Sequence, residues 1–265
     1  MGHELAYFCT TLHNALHITI YRNCNVMEKG HIRRKIWDVM EETGLARFPR
    51  PVHGRIPNFE GAARAAERVK ELPAWKRAVV VKANPDSPQR PVRRLALEQG
   101  KVVYMAVPRL REERCFLELD PKKLKGVEDQ ASSIKGAFRY GRLVAPEEMR
   151  KIDLIVAGSV AVNHEGARLG KAGGYSDLEY AIGREFGIVD ENTKTLSTVH
   201  PIQVVPYQIE MLGHDFPLDY IITPDGITEA AHCYQKPRGI YWEELDEDKI
   251  RAIPLLWRLK EQKET

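Results

Sequence analysis

The sequence has few cysteines, no long apolar run and almost no net charge, and each of these shortages excludes a class of protein. Its four cysteines include no Cys-x-x-Cys pair, which argues against a zinc ribbon or a disulfide framework and favours a reducing cytoplasm. No apolar run approaches the ~18 residues of a membrane-spanning helix. The 40 basic and 37 acidic residues leave a net charge of +3, too small to indicate a polyanion-binding surface. We therefore expect no membrane partner, and the charge balance argues against a nucleic-acid partner.

The overall composition is typical of a globular protein with a sizeable core, because 43% of the residues are hydrophobic and 29% are charged. Residues 1–26 contain one arginine and no lysine, which distinguishes them from the rest of the chain. The sequence therefore predicts a loose N-terminal extension over 1–26 and a single domain over 27–265.

Hydrophobic periodicity predicts alternating helices and strands after residue 27. Short apolar strands without polar alternation are typical of a parallel sheet that is buried on both faces. The predicted helices are 29–44, 60–71, 90–99, 176–187 and 246–262, and the predicted strands are 78–83, 102–107, 151–162, 195–205 and 218–223. The charged, turn-rich segment 111–146 indicates a surface excursion, with weak strand signals at 116–119. We expect an α/β fold with a mainly parallel, Rossmann-like sheet and helices on both faces.

A glycine-rich stretch, EGARLGKAGGYSD at 165–177, joins the longest apolar run to a predicted helix. A strand, a glycine turn and a helix N-terminus together form an anion site, because free backbone N–H groups and the helix dipole converge there. Gly173 and Gly174 lie where a phosphate would approach the backbone most closely. Ser176 and Glu179 have the spacing of a helix capping box. The spacing matches neither a Walker A loop nor Gly-x-Gly-x-x-Gly, so a plain strand-to-helix turn remains an alternative.

Two pairs of cations accompany this stretch. Arg168 and Lys171 lie in the turn and repel each other unless water or an anion intervenes. Lys29 and Arg33 are four residues apart and so share one face of the first predicted helix. Each pair is also consistent with a solvated surface. The residues alone therefore indicate a candidate anion site without identifying the anion.

Four ordered motifs resemble those of the 5-formyltetrahydrofolate cyclo-ligases, also called methenyltetrahydrofolate synthetases. The segment DLIVAGSVAVNHEGARLGKAGGYSDLEYA resembles the family signature, an apolar strand followed by G-x-RLG-x-G-x-GYYD. TVHPIQVV and HDFPLDYIITP are similar to its later H-x-x-Q-V and D-x-P segments, and KGHIR is similar to its N-terminal K-x-x-L-R. The resemblance covers residues 29–225, and it is closer still to the cyclo-ligase-like domain of the methenyltetrahydrofolate synthetase domain-containing proteins.

The resemblance implies an ATP- and Mg²⁺-dependent ligase that converts 5-formyltetrahydrofolate, or a related reduced pterin, to the 5,10-methenyl form with release of ADP and phosphate. By motif matching, it implies that Arg168 and Lys171 act on the transferred phosphoryl group and that Asp177 helps to hold Mg²⁺. The implied ATP-binding residues are Lys29, Arg33, Arg168, Gly170, Lys171, Gly173, Gly174 and Tyr175.

The chain departs from the family pattern mainly on the folate side. The family's Tyr-Tyr-Asp is Tyr-Ser-Asp at 175–177, and its pterin-recognising glutamate corresponds to Asp86 and Ser87 in ANPDSPQRP. A pterin amide without its bidentate acceptor loses about 2–4 kcal/mol of recognition. Two alternatives therefore remain open: a nucleotide-binding relative with another small-molecule substrate, and a non-catalytic module that binds RNA. The residues that contact the substrate stay unassigned.

Overall fold

A computed structural model describes residues 27–264, and the predicted extension over 1–26 lies outside the described residues. Its helices are α1 (Lys29–Glu42), α2 (Ala62–Arg68), α3 (Pro73–Arg77), α4 (Arg90–Glu98), α5 (Glu128–Ala131), α6 (Ile134–Tyr140), α7 (Tyr175–Glu185), α8 (Glu247–Ala252) and α9 (Pro254–Glu264). Its strands are β1 (Ala46–Arg47), β2 (Asn58–Phe59), β3 (Val80–Ala83), β4 (Val102–Ala106), β5 (Phe116–Leu119), β6 (Arg142–Val144), β7 (Leu154–Ala157), β8 (Ala161–Val162), β9 (Arg168–Leu169), β10 (Lys194–Thr198), β11 (Tyr220–Ile222) and β12 (Ile227–Glu229). Within the described residues, no helix combines the length and the apolarity that crossing a membrane requires.

Helix α1 forms where the periodicity predicts it. The Glu28 carboxylate accepts hydrogen bonds from the backbone N–H groups of Gly30 and His31, at 2.6 and 2.8 Å, and so caps the first turn. At the other end the chain turns at Gly44, whose φ of +70° lies in the left-handed region that glycine adopts without strain. The buried side chains of the helix, Ile32, Ile36, Trp37 and Met40, recur at helical spacing on one face.

The central sheet has eight strands in the order β12-β11-β10-β7-β3-β4-β5-β6. The five inner strands, from β11 to β4, are parallel to one another. The edges are antiparallel, with β12 on one side and β5 and β6 on the other. The prediction of a mainly parallel sheet is therefore confirmed.

Side chains of the inner strands alternate between two hydrophobic cores, one on each face of the sheet. Along β7, Leu154 and Val156 pack into one core, while Ile155 and Ala157 pack into the other. Helices α1, α2 and α4 cover the first core, and helices α7, α8 and α9 cover the second. Helices on both faces were expected, and the structure confirms them.

The segment 111–146 is not the surface excursion that its charge predicts. Strand β5 pairs with β4 over four residues, and its Phe116, Leu117 and Leu119 are at most 1% exposed. Strand β6 then extends the sheet by one further antiparallel strand. The prediction was wrong because two short strands between charged turns carry little pattern of their own, and their pairing to β4 is a tertiary effect.

The predicted last helix over 246–262 is two helices. Pro254 has no backbone N–H and cannot continue α8, so it begins α9 instead. The apolar side chains of both helices, among them Ile250, Leu255 and Leu256, are buried in the second core. The C-terminal segment is therefore an integral part of the domain.

The neighbouring strands β3, β7 and β10 are parallel, so their carboxyl ends lie side by side at one end of the sheet. Each is followed by a segment from the sequence motifs: residues 84–87 after β3, the glycine-rich stretch after β7, and His200–Gln203 after β10. Loops at the carboxyl ends of parallel strands form the binding crevice of open α/β sheets. The candidate site lies at these carboxyl ends.

Candidate active site

The glycine-rich stretch forms a hairpin and then a turn into α7. Strands β8 and β9 pair antiparallel and lead to residues 170–174, which we call the phosphate loop. Gly174 precedes the first residue of α7 with a φ of +62°, in the left-handed region. Because a glycine caps this helix, no capping side chain bonds to its first N–H groups. The local geometry is therefore that of an anion site.

The capping box predicted for Ser176 and Glu179 is wrong. Helix α7 begins one residue earlier, at Tyr175, so Ser176 already lies inside its first turn. The Ser176 hydroxyl donates to Asn84 Oδ1 at 3.2 Å. Glu179 is buried and forms an ion pair with Lys82 of β3. Both side chains hold α7 against the end of β3 instead of capping the helix.

One of the two predicted cations of α1 contacts the phosphate loop, and the other contacts the loop before β11. Arg33 Nε donates to the backbone oxygen of Gly170 at 2.7 Å. Lys29 Nζ lies 3.0 Å from Asp215 Oδ2, in the loop that precedes β11. Burial lowers the pKa of the Arg33 guanidinium below its ordinary value, while the carboxylates of Glu28 and Asp215 act in the opposite direction.

Lys171 connects the phosphate loop to the loop after β3. Its Nζ lies 2.7 Å from Asp86 Oδ1. Lys171 is about half exposed, whereas Asp86 is largely covered. An ion pair with one exposed partner contributes at most about 1 kcal/mol of stability, so Lys171 remains available to an incoming anion.

Arg168 and Asp177 form a buried ion pair with each other. Arg168 Nη2 lies 2.5 Å from Asp177 Oδ1, and Nη1 donates to the backbone oxygen of Gly158 at 3.2 Å. The guanidinium also lies over the Phe216 ring, 4.4 Å from its centroid. The Arg168 side chain is only 2% exposed. Its two terminal nitrogens are thus engaged, whereas its buried Nε has no hydrogen-bond partner among the described residues.

Tyr175 and Lys249 lie at the far end of the phosphate loop. Lys249 Nζ donates to the backbone oxygen of Gly173 at 3.0 Å and lies 5.1 Å from the centroid of the Tyr175 ring. Burial lowers the pKa of the Lys249 ammonium, and the nearby Asp177 and Asp246 only partly oppose this shift. The contact was not expected, because Lys249 comes from α8.

A cavity opens beside the N-terminus of α7. Its walls combine apolar side chains with ionisable ones, an arrangement typical of small-molecule sites. The residues that line it are Gly174, Asp177, Leu178, Ala181, His214, Ile240, Tyr241, Glu244, Leu245 and Lys249. His214 Nδ1 contacts Glu244 across one side of this cavity. The cavity, the phosphate loop and the cations of α1 are therefore adjacent.

A buried polar layer supports the site from below. Lys82 and Glu179 are 3% and 6% exposed in their side chains and pair with each other. Burial raises the pKa of the Glu179 carboxyl, against the effect of Lys82. Asn84 Nδ2 donates to the same carboxylate at 3.4 Å. An ion pair this well covered fixes the relative position of β3 and α7.

The loop after β3 is held by one buried arginine. Arg93 donates to the backbone oxygens of Asn84, Pro85 and Asp86, and to that of Ser132 at 2.8 Å. Ser87 starts a short 3₁₀ turn and is partly exposed. The hydrogen bonds from Arg93 hold the backbone of this loop, and its one carboxylate, Asp86, is paired with Lys171.

Beside this loop, the Gln89 amide is fully buried, and neither of its polar atoms has a partner among the described residues. A Cβ added to Gly158 would lie 3.1 Å from both Gln89 Oε1 and Asp86 Oδ2. The two side chains therefore approach the backbone at the end of β7 closely, so a larger residue at Gly158 would require them to shift.

The donor set fits ATP with Mg²⁺. Among residues 27–264, no group of three or more His, Cys, Asp or Glu side chains has the geometry of a metal site. Mg²⁺ at phosphoryl-transfer sites is commonly held by one or two carboxylates together with phosphate oxygens and water. Asp177 lines the cavity, and the hydrogen bonds that it accepts from the described residues go to Oδ1. Its second oxygen is thus the one suited to a metal that arrives with phosphates.

Comparison with known proteins decides the family. Residues 25–224 match the model of the 5-formyltetrahydrofolate cyclo-ligase family. The chain belongs to this family. Methenyltetrahydrofolate synthase domain-containing proteins from Bos taurus and Homo sapiens are 40% and 37% identical to it, over 241 and 237 residues. These alignments include 90% and 88% of this chain but 63% and 62% of the relatives, so the chain spans less than two thirds of their length.

Two solved structures are similar to this cyclo-ligase family member. The 5,10-methenyltetrahydrofolate synthetase of Aquifex aeolicus has a TM-score of 0.45 at 18% identity, covering 83% of this chain and 100% of the other. The enzyme of the same name from Mycoplasma pneumoniae has a TM-score of 0.43 at 13% identity, covering 74% and 98%.

Sequence reasoning missed two parts of this site. Lys249 carries no motif, lies in a predicted helix and comes after residue 224, the last residue of the family match. The polar layer of Lys82 and Glu179 was also missed, although a lysine inside a short apolar strand is a signal, because a buried lysine requires a partner. Of the predicted cations, Arg33 contacts the phosphate loop, Lys171 belongs to it and Arg168 lies in the strand before it, whereas Lys29 contacts Asp215.

Proposed function

We propose that this chain is an ATP- and Mg²⁺-dependent cyclo-ligase of the cytoplasm. Its substrate is 5-formyltetrahydrofolate or a related reduced pterin, and its products are the 5,10-methenyl form, ADP and phosphate. The observation that carries the proposal is the hydrogen bond from Arg33 to the Gly170 oxygen, because it joins two distant family motifs into one cationic site. Membership in the cyclo-ligase family supports the reaction type.

In this proposal the phosphate loop binds the polyphosphate of ATP. The backbone around Gly170, Gly173 and Gly174 approaches the phosphate oxygens, and Tyr175 forms a wall of the site. Lys29 and Arg33 neutralise the nucleotide charge from α1. Charge-assisted hydrogen bonds to phosphate are about twice as strong as neutral ones, which suits a site built from cations and backbone donors.

The reaction asks the protein mainly for positioning and charge neutralisation. The formyl oxygen attacks the γ-phosphorus of ATP and ADP leaves. The pterin N10 then adds to the activated carbon, the ring closes, and phosphate is expelled. Lys171, which is half exposed beside Asp86, is placed to hold the transferred group as its charge moves.

Arg168 and Asp177 act as a pair in this proposal. Arg168 orients the Asp177 carboxylate through Oδ1 and supplies positive charge below the phosphoryl group. Asp177 contributes one ligand to Mg²⁺, which when bound neutralises phosphate charge and polarises the phosphorus–oxygen bonds.

The test is turnover with defined substrates. Purified protein with Mg-ATP and 5-formyltetrahydrofolate is expected to form the methenyl product and release phosphate, and to release little phosphate without the pterin. Variant K171M should lose most of this rate, whereas K125M, which removes an exposed lysine elsewhere, should keep it. Absence of both methenyl product and pterin-dependent phosphate release would refute the reaction.

A second candidate, a nucleotide-binding relative with another substrate, is favoured by one observation. Ser87 stands where the family has a pterin-recognising glutamate, and the adjacent Asp86 carboxylate is paired with Lys171. Thermal stabilisation by Mg-ATP without any stabilisation by reduced folates would support this candidate over the first.

A further inference from the structure

The segment after residue 224 lies beyond the family match, yet it forms one wall of the candidate site. Five of the ten residues that line the cavity beside α7 come from this segment: Ile240, Tyr241, Glu244, Leu245 and Lys249. Their backbone is held in place because α8 and α9 bury apolar side chains in the second core. Ile240 and Leu245 of this wall also pack, partly buried, against that core.

Lys249 is the cation of this wall that contacts the phosphate loop. Its Nζ donates to the Gly173 oxygen at 3.0 Å, and a Cβ added to Gly174 would lie 3.0 Å from the same nitrogen. The ammonium group thus occupies the space that the absence of a side chain at Gly174 provides. Any anion bound at the start of α7 would lie beside it.

The cations at the loop differ in whether a carboxylate neutralises them. Three of them form ion pairs: Lys29 with Asp215, Lys171 with Asp86, and Arg168 with Asp177. Arg33 and Lys249 form no ion pair with a carboxylate of residues 27–264, and each donates instead to a carbonyl of the loop.

Partial burial makes these two unpaired charges costly. It lowers the pKa of both Arg33 and Lys249, because each loses contact with water before it gains an anionic partner. A bound polyanion between them would supply that partner. The two cations approach the loop from its Gly170 end and its Gly173 end, so one extended anion along the loop can meet both.

We propose that Lys249 is a phosphate-binding residue, and that residues 240–249 thereby complete the nucleotide site from outside the family-matched region. The inference rests on the proposed function, and it adds a cation that the family motifs do not contain. Lys249 binds the polyphosphate chain, not the base, because its ammonium lies on the loop backbone.

The test measures binding of three probes by calorimetry: Mg-ATP, inorganic tripolyphosphate and adenosine. Because K249M removes one charge-assisted contact, it should bind Mg-ATP and tripolyphosphate at least about tenfold more weakly than the wild type. Its affinity for adenosine should not change. K249R keeps the charge and should recover most of the loss. R251M is the matched control, since it removes an exposed charge from the same helix and should bind like the wild type.

A measurement on the wild-type protein tests the inference without relying on the folding of K249M. Tripolyphosphate should protect Lys249 from amine acylation, read by mass spectrometry, while the partly exposed Lys260 serves as an internal reference. Equal acylation of Lys249 with and without the anion would overturn the inference.

The outcomes separate this inference from the proposed function. If K249M binds all probes like the wild type while R33M binds Mg-ATP weakly, Lys249 is not a phosphate ligand and the cyclo-ligase proposal stands. If Lys249-dependent binding is found without any methenyl product, the inference stands and the reaction is wrong. If the wild type binds neither Mg-ATP nor tripolyphosphate, both are wrong.

Discussion

Two arginines on helices, Arg33 of α1 and Arg93 of α4, donate to the two loops that form the site, and they differ in how many of their N–H donors are used. Arg93 is buried and donates to four backbone oxygens, three of them in the loop after β3, so its hydrogen bonds hold that loop. Arg33 donates to one backbone oxygen and forms no ion pair within the described residues. An arginine whose donors are all used is structural, whereas one with spare donors can bind a ligand.

The phosphate loop and the loop after β3, which are the two halves of the site, differ in the same way. The phosphate loop offers spare cations and open backbone, as a nucleotide requires. The loop after β3 is internally satisfied at its backbone and presents Ser87 where the family has a glutamate. In the proposed function, the nucleotide half therefore keeps the family's chemistry, and the folate half departs from it.

The largest expected effect is on stability, in variant R93M. Removing this guanidinium leaves four backbone oxygens without their donor in a buried region, which should lower the free energy of unfolding by about 3 kcal/mol. Urea denaturation followed by circular dichroism measures the change. A loss below about 1 kcal/mol would show that Arg93 is not the structural partner in this comparison.

Variant R33M should show the opposite behaviour. The free energy of unfolding should change by less than about 1 kcal/mol, since a single partly exposed hydrogen bond is lost. The affinity for Mg-ATP should fall by about 30-fold, because a charged donor to phosphate is removed. Isothermal titration calorimetry compares it with R34M, which removes an exposed charge from the same helix. Equal binding by both variants would contradict the assignment.

Variant S87E tests the folate half. A glutamate at this position supplies the bidentate acceptor that a pterin amide requires, so affinity for 5-formyltetrahydrofolate should rise by about tenfold. Equilibrium binding in the presence of a non-hydrolysable ATP analogue measures it, and S87Q serves as the neutral control of equal size. If S87E binds no better than S87Q, this position does not recognise the pterin.

The smallest expected effect compares two glycines with the same backbone conformation. Gly174 and Gly187 have φ values of +62° and +66°, so alanine at either should cost about 1 kcal/mol of stability. A Cβ at Gly174 would approach Lys249, whereas one at Gly187 would meet open space. Only G174A should therefore weaken Mg-ATP binding, by several fold. Similar affinities in the two variants would place the anion elsewhere.

The fold was largely predictable because its signals are local. The buried face of α1 and the glycine that ends it were read from spacing alone, and so were the inner strands. The segment around β5 and β6 was not, since its charged turns suggest a solvated loop and only pairing with β4 buries its apolar residues. Pro254 carried a local signal, yet the predicted last helix ran through it.

The sequence by itself determined the layered α/β fold, the phosphate loop and the residue types at each motif, because periodicity and glycine content act over a few residues. Tertiary structure alone decided which of these cations are paired with a carboxylate and which are not. Arg168 and Lys249 are both single cations in the sequence, but folding buries one against Asp177 and leaves the other beside Gly173 without a carboxylate. The reason is physical: whether a charge is satisfied depends on partners that are distant in the chain and meet only when the sheet, α7 and α8 have packed.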